Sequence, residues 1–370
     1  MEKTLKKILA LADVQINGKR HWDIKIHNPE FYRRVLAGGS LALGEAYMDG
    51  WWDCDAVDQF IFKIVSAELD QQVKGRKKID VIWPILKAKI LNVQTKSKVR
   101  KVTAKHYDLS NELFENMLDK SMTYSCGYWK NAQNLDQAQE AKLDLICKKL
   151  NLKHGEKILD IGCGWGSFAR HAAENYNAHV VGITISKEQV ELAKKRSKHL
   201  SVDIRLQDYR DLNEQFDHIV SIGMFEHVGY KNHRSYMKVV RRCLKDDGLF
   251  LLHTIGYNTS QVINDPWMNK YIFPNAAGPS PIQFSKAIEE LFIIEDWQCF
   301  GTHYDRTLMA WHENFIKNWD KIKQNYDHKF FRMWKYYLLM CAGAARSALF
   351  PVWHIVLSKR GVVGGYKSIR

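Results

Sequence analysis

The sequence predicts an α/β fold, an open and mostly parallel sheet preceded by a smaller, mostly helical front end. Three observations predict it. A short apolar strand runs directly into a glycine-rich turn and a helix, Lys157-Ile-Leu-Asp-Ile-Gly-Cys-Gly-Trp-Gly166. Beyond about Thr103, strand-like and helix-like stretches alternate along the chain, the pattern of βαβ units. The chain has 370 residues, which suits two domains.

Residues 1–70 are mixed and aromatic, with turn signals at Gly38-Gly39 and Asp49-Gly50 ahead of Trp51-Trp52. Residues 71–104 form a basic linker. From Lys74 to Lys105 there are eleven Lys/Arg against one acid, Asp80, with Ile79, Ile82, Trp83 and Leu86 interleaved. Two readings fit: a solvated segment beside a domain boundary, or a membrane-surface segment with cations toward phosphate and Trp83 toward acyl chains. Pro84 interrupts any single helix there. The formal net charge of +14 attracts polyanions of either kind, nucleic acid or anionic lipid, but no nucleic-acid-binding signature accompanies it.

The apolar run between Met1 and Ala12 is cut short by Asp13, too early for a secretory h-region. No apolar stretch approaches the roughly 18 residues of a membrane span. Seven cysteines without a Cys-x-x-Cys pair argue for reduced thiols rather than a disulfide framework. These features predict a cytoplasmic protein, at most peripheral to a membrane.

Within 105–370 the elements follow in order. The glycine-rich turn opens a helix from about Trp165 to Tyr176, and Val180-Val-Gly-Ile183 is the second strand. Glycines allow positive φ and close approach of a ligand, while the helix start offers unpaired N–H groups. The spacing G-x-G-x-G, with no acid after the second strand, weakens a dinucleotide reading. Thr184 and Gln189 are the polar residues at that strand end, and Ser186-Lys-Glu-Gln189 reads equally as a capping box. The third strand ends in Gln207, Asp208 and Tyr209, suited to an adenine amine and ring, or simply to a charged turn. Phe216–Ile222 and Gly248–Thr254 are the fourth and fifth strands, which brings Glu226 and His253 toward the glycine turn.

Asp160-Ile-Gly-Cys-Gly-Trp-Gly166 resembles the first motif of class I methyltransferases, which hold S-adenosylmethionine on a Rossmann-like seven-stranded sheet. His106-Tyr-Asp-Leu, Met122-Thr-Tyr-Ser-Cys-Gly-Tyr-Trp129, Gly223-Met-Phe-Glu-His-Val-Gly229, Leu251-Leu-His-Thr-Ile-Gly256, Tyr304-Asp-Arg-Thr-Leu-Met-Ala-Trp311 and Cys341-Ala-Gly343 resemble the cyclopropane-fatty-acyl-phospholipid synthases. Leu43-Gly-Glu-Ala-Tyr-Met-Asp-Gly-Trp-Trp52 is similar to the extra N-terminal domain of the bacterial enzymes, so the resemblance covers almost the whole chain.

The resemblance implies methylene transfer from S-adenosylmethionine across a cis double bond of a phospholipid acyl chain. A bicarbonate ion serves as base, and the enzyme is a homodimer at the inner face of the cytoplasmic membrane. It assigns cofactor contacts to Tyr124, Ser125, Asp160, Gly162, Gly164, Gly166, Thr184, Gln189, Gln207, Asp208 and Tyr209. The bicarbonate pocket falls to Cys126, Glu226, His253, Ile255, Gly256 and Tyr304, with Cys341 a further active-site residue. Residues 1–70 become a lipid-binding or dimerisation domain.

The chemistry suits these residue types. An alkene is a weak nucleophile and must be held in line with a methyl donor in a dry site. The resulting cation favours aromatic faces, and a base must remove a proton for the ring to close. Each residue also has a plainer reading: Cys126 as a buried thiol, His253 as a core histidine, Glu226 as a cap, Tyr304 as a core aromatic, and Cys341 as part of an apolar helical face with Phe330, Trp334 and Tyr337. The aromatic stretch Asp265–Pro274 fits either a roof over an acyl tunnel or a packed insertion. No ligand spacing supports a metal. Simple methylation of an acyl chain or small amine on the same scaffold is the alternative activity, and methylation of an amine would not need the base.

Overall fold

The computed structural model describes residues 1–69 and 110–370. The basic linker expected at 71–104 and the His106-Tyr-Asp-Leu motif lie outside the described residues. The chain divides into two compact units. One contains the front end together with residues 263–274 and 304–350, and the other holds the remainder of the described residues. The expected division at 70 and 105 was one of chain order. In space, two later segments join the front end.

The first unit is mostly helical, built on Phe31–Met48, Val57–Ser66, all but the first residue of His303–Ile322, and His328–Arg346. Trp52 is completely buried, with the rings of Phe31, Tyr47, Phe60 and Tyr336 packed around it at centroid distances of 5.1–6.3 Å. Its indole N–H donates to the Leu43 carbonyl at 3.0 Å, the partner a buried indole needs. At Gly343 an added Cβ would stand 2.2 Å from the Asp58 carbonyl oxygen, so only glycine lets the last helix lie on Val57–Ser66.

The Gly38-Gly39 turn signal marks a kink inside one helix rather than a chain reversal, because Gly39 takes φ 57°. Gly50, at φ 73°, does end that helix. Trp267, in the short helix Pro266–Tyr271, is fully buried in the same unit. Its ring occupies the space that a Cβ at Gly44 would need. The aromatic stretch Asp265–Pro274 thus packs into the helical core.

The second unit carries the seven-stranded sheet expected from the sequence. Its strands are β3 (Lys157–Ile161), β4 (His179–Thr184), β5 (Val202–Leu206), β6 (His218–Ile222), β7 (Leu249–Ile255), β8 (Ile293–Cys299) and β9 (Val352–Ser358). β1 (Lys25–Ile26) and β2 (Trp52–Asp53) form a separate pair in the first unit. The sheet order is β5-β4-β3-β6-β7-β9-β8. β3 to β7 run parallel, and β9 is inserted antiparallel between β7 and β8.

Apolar side chains cover both sheet faces. One cluster joins Leu159, Ile219, Phe250 and Ile355 to Tyr236, Val240 and Phe284 of flanking helices. The other joins Ile158, Val180, Val220 and Val356 to Leu143, Ile146, Phe168 and Ala193. Strands covered on both faces read as continuous apolar runs, which is why β3, β4, β6 and β7 were visible in the sequence.

Candidate functional site

Strand order reverses at β3, whose neighbours are β4 and β6. A crevice opens outside the carboxyl ends of the strands at such a point. Here a cavity is lined by the segments that follow β3, β4, β5 and β6, together with Met122–Ser125. Of the eleven residues assigned to cofactor binding, ten line it: Tyr124, Ser125, Asp160, Gly162, Gly164, Thr184, Gln189, Gln207, Asp208 and Tyr209. Gly166 does not line it. At φ 76° it is the N-cap of the helix Ser167–Tyr176, which begins two residues later than the expected Trp165.

The turn after β3 is built by left-handed glycines. Gly162 has φ 83°, and a Cβ there would fall 2.7 Å from the Met224 side chain. Gly164, at φ 54°, faces open space. The Gly162 and Cys163 N–H groups donate to the Ile183 carbonyl at 2.9 and 3.0 Å, locking the turn to the end of β4.

At that end the acid usual in such folds is replaced by a hydrogen-bonded pair. The Thr184 hydroxyl donates to Gln189 Oε1 at 2.7 Å. The capping box read from Ser186 and Gln189 is therefore only half made. Ser186 Oγ accepts from the Gln189 N–H at 3.3 Å, while the Gln189 side chain turns toward Thr184 and the cavity.

Asp208 caps a 3-10 turn, accepting from the Arg210 N–H at 3.0 Å. It also holds the Arg210 guanidinium at 2.8 and 2.6 Å, so the charged-turn reading of this residue holds beside its place in the cavity wall. Burial pushes the Tyr209 phenol up to about 12, keeping it neutral against Tyr236 at 5.1 Å.

Two buried titratable groups support the cavity, Asp160 in its lining and Lys142 behind Ser125. Asp160 is 2% exposed, and its Oδ1 has no hydrogen-bond partner. Burial raises its carboxyl to about 7, a shift that Lys142 opposes. Lys142, fully buried, donates to Ser125 Oγ at 2.7 Å, and burial pushes its ammonium down to about 7. Beside it, Gln139 donates to the carbonyls of Thr123 and Ser125 at 3.3 and 2.8 Å. The helix Leu135–Lys149 thus pins the cavity-lining strip by its own side chains.

Sequence reasoning missed Lys142, though a signal existed. Leu135, Gln139, Lys142 and Ile146 share one helical face, and a lysine in an apolar stripe is uncommon unless paired.

Lys142 has a measurable signature. Between its folded value of about 7 and the unfolded 10.5, the unfolded chain binds a proton that the folded chain does not. Stability therefore rises with pH across that window. Lys142→Met is expected to remove this rise, so urea midpoints of the two proteins should diverge between about pH 7 and about pH 9. Parallel midpoints would show that the lysine stays charged when buried.

Glu226 and His253 do not line the cavity but stand beside it, within the same unit. Glu226 Oε1 accepts from the Ile255 N–H at 2.7 Å, while Oε2 is buried without a partner, and burial raises the carboxyl to about 7. His253, in β7, is 2% exposed. Burial, reinforced by Lys142, holds it well below the usual histidine range. Cys126 is fully buried, its thiol donating to the Gly127 carbonyl at 3.4 Å.

Ile255 and Gly256 have already used their N–H groups, the first on Glu226 and the second on the Pro351 carbonyl at 2.9 Å. Tyr304 and Cys341 belong to the helical unit. Tyr304 packs edge-on to Trp311 and Phe350. Cys341 Sγ lies 4.0 Å from the Met268 sulfur, and burial pushes the thiol up to about 12. A neutral thiol among apolar groups is packing material.

Comparison with known proteins agrees with this architecture. The family model described as mycolic acid cyclopropane synthetase matches residues 94–355. The chain is 51% identical over 364 residues to the cyclopropane-fatty-acyl-phospholipid synthase of Escherichia coli strain K12, covering 98% of this chain and 94% of that protein. It is 30% identical over 361 residues to the tuberculostearic acid methyltransferase of Mycobacterium tuberculosis, covering 91% and 83%. The solved mycolic acid cyclopropane synthase CmaA1, complexed with SAH and CTAB, superimposes with a TM-score of 0.66 at 30% identity, over 70% of this chain and 98% of that one. A family match across most of the chain, laid over a glycine-turn cavity at the switch point of the sheet, leaves one assignment: the chain belongs to the mycolic acid cyclopropane synthetase family.

Proposed function

We infer that this protein is an S-adenosylmethionine-dependent cyclopropane synthase, adding a methylene across the cis double bond of phospholipid acyl chains, with bicarbonate as base. The near-full-length identity to the Escherichia coli enzyme of that name supports the substrate class. The observation that carries the chemistry is Glu226, with one carboxylate oxygen fixed by Ile255 and the other buried without a hydrogen-bond partner.

The residues fit S-adenosylmethionine. The open space at Gly164, the unpartnered Asp160 oxygen and the Thr184–Gln189 pair form a polar cradle against the Met224 and Tyr209 side chains. When bound, the cofactor supplies the electrophilic methyl group. Asp160 would hold its cationic portion, Gln207 and Asp208 would meet the adenine edge, and Tyr209 would pack on the ring.

The residues also fit bicarbonate. Glu226 Oε2 is an acceptor for the ion's hydroxyl, and His253 offers a ring nitrogen with no hydrogen bond among the described residues, with Cys126 as a further member of the same unit. Ile255 serves the pocket through Glu226. Burial of this set excludes the water that would otherwise capture a cation on the acyl chain. Cys341 takes no step, since alkene alkylation needs no thiol intermediate.

The decisive experiment incubates the purified protein with S-adenosylmethionine, bicarbonate and liposomes of cis-unsaturated phospholipid. Lipid mass spectrometry should show a gain of one CH2 per acyl chain, with loss of the olefinic proton signals by NMR. A gained CH2 with the alkene retained would turn the assignment to methylation, the activity named for the mycobacterial relative.

The protein acts as a homodimer at the inner membrane face, with residues 1–70 and the basic linker engaging lipid or the partner subunit. Among the described residues no helix is long and apolar enough to cross a membrane. Replacing Lys74, Arg76, Lys77 and Lys78 by glutamate is expected to weaken sedimentation with anionic liposomes markedly, since each near-surface cation contributes about 1 kcal/mol. Unchanged sedimentation would remove the linker from the membrane contact.

A further inference from the structure

His253 has a partner that the proposed reaction does not use. In the antiparallel β7–β9 ladder His253 stands directly opposite His354, and His253 Nδ1 lies 2.9 Å from His354 Nε2. Both rings are buried, and Phe300 packs edge-on to each at 5.8 and 4.7 Å. On its other side His354 faces, in the strand register, Gln298 of β8, whose side-chain oxygen is also buried and makes no hydrogen bond to the ring. Burial, with the charges of Lys142, Lys149 and Arg370 around the pair, keeps both imidazoles neutral. Each ring therefore carries one proton, and the shared hydrogen bond can run in only two directions.

The two directions differ at the far side of His354, whose Nδ1 is buried and has no partner. If His253 donated, His354 would have to carry its own proton on Nδ1, leaving a buried N–H donor unpaired. If His354 donates from Nε2, its Nδ1 is instead a bare acceptor. Orphaned buried N–H groups are the rarer and costlier defect. The second arrangement wins, and it has a consequence across the first ring. His253 Nδ1 is then an acceptor, so its proton resides on Nε2. The hydrogen bond made by one imidazole nitrogen sets the state of the other.

We propose that His354 is a positioning residue that fixes His253 as the Nε2–H tautomer, making it an obligatory hydrogen-bond donor toward an oxyanion. The tautomer stands on the ring geometry and on the neutrality that burial imposes on both imidazoles, while the identity of the anion as bicarbonate rests on the function proposed above. Sorting donors and acceptors in this way also explains the division of labour with Glu226. One neighbour of the anion can only donate, and the other, once ionised, can only accept.

The test has two arms. In full-length protein labelled with 15N-histidine, with His253 assigned by its loss in His253→Gln, the spectrum should show Nε2 protonated and Nδ1 bare. His354→Gln, whose amide can still donate near the Nε2 position, should keep that tautomer. It should also keep cyclopropanation within a fewfold of wild type. His354→Leu should release the tautomer and raise the bicarbonate concentration for half-maximal rate about 10- to 100-fold, the usual effect of losing such a supporting hydrogen bond. Binding of S-adenosylmethionine should be unchanged and would report folding.

A wild-type spectrum with Nδ1 protonated overturns the proposal. So does a folded His354→Leu protein with unaltered tautomer and bicarbonate dependence. If wild-type turnover proves independent of bicarbonate, the anion assignment fails, and the spectrum still decides the role of His354.

Discussion

Glu226→Gln is expected to lower the rate of cyclopropane formation by about 10²- to 10³-fold, the usual cost of removing one fixed polar group from around reacting charge. The substitution is nearly isosteric. The amide oxygen can still accept from the Ile255 N–H, which Glu226 Oε1 now binds at 2.7 Å, so the chain keeps its local geometry. What changes is the second oxygen, buried and unpartnered, which becomes an NH2. A group that can only donate cannot receive the hydroxyl of bicarbonate, and the ion would lose its orientation. Since Glu226 does not line the cofactor cavity, affinity for S-adenosylmethionine should not move.

Stability should respond in the opposite sense to activity. Burial raises the Glu226 carboxyl to about 7, above its unfolded 4.5. Between those values the folded chain holds a proton that the unfolded chain lacks, so stability falls as pH rises through the window. Glutamine has no such term, and the variant should show the higher urea midpoint at neutral pH. A less active but more stable protein is the mark of a strained functional group. Full activity in the folded variant would remove Glu226 from the proposed reaction.

The parts of this site that were legible in the sequence are those coded within a few neighbouring residues. The glycine turn could be read because positive φ at Gly162, Gly164 and Gly166 demands glycine, and β3, β4 and β6 because both their faces are covered. Gln189 was half legible: its backbone signal is a cap, and its side chain answers instead to Thr184. His354 was hidden, because its importance depends on β9 returning antiparallel beside β7, 101 residues from His253. The membership of the helical unit was hidden for the same reason. Nothing local announces that residues 304–350 pack with the front end, and the decisive contacts, such as Gly343 against Asp58, are long-range. Lys142 lay between these cases, marked by its helical face but without a visible partner.

Asp160→Asn is expected to weaken S-adenosylmethionine binding about 10- to 100-fold, or about 1.4–2.8 kcal/mol, the range for losing a charge-assisted hydrogen bond in a buried site. The argument turns on the unbound state. With Oδ1 unpartnered and burial raising the carboxyl to about 7, the unliganded protein holds a proton on Asp160 over much of the range from 3.8 to 7. A cationic ligand favours the ionised carboxylate and must expel that proton to bind. Affinity should therefore rise with pH up to about 7 and then level, and calorimetry in buffers of different ionisation enthalpy should register the released proton. Lys142 works against this ligand electrostatically, which makes the Asp160 charge the more necessary: without it, a buried ammonium would stand near the sulfonium with no carboxylate to offset the two. Asparagine preserves size and hydrogen-bonding capacity but not charge, so the variant should lose both the affinity and its pH dependence. Equal affinity at every pH would show that Asp160 shapes the turn and leaves recognition of the cation to other groups.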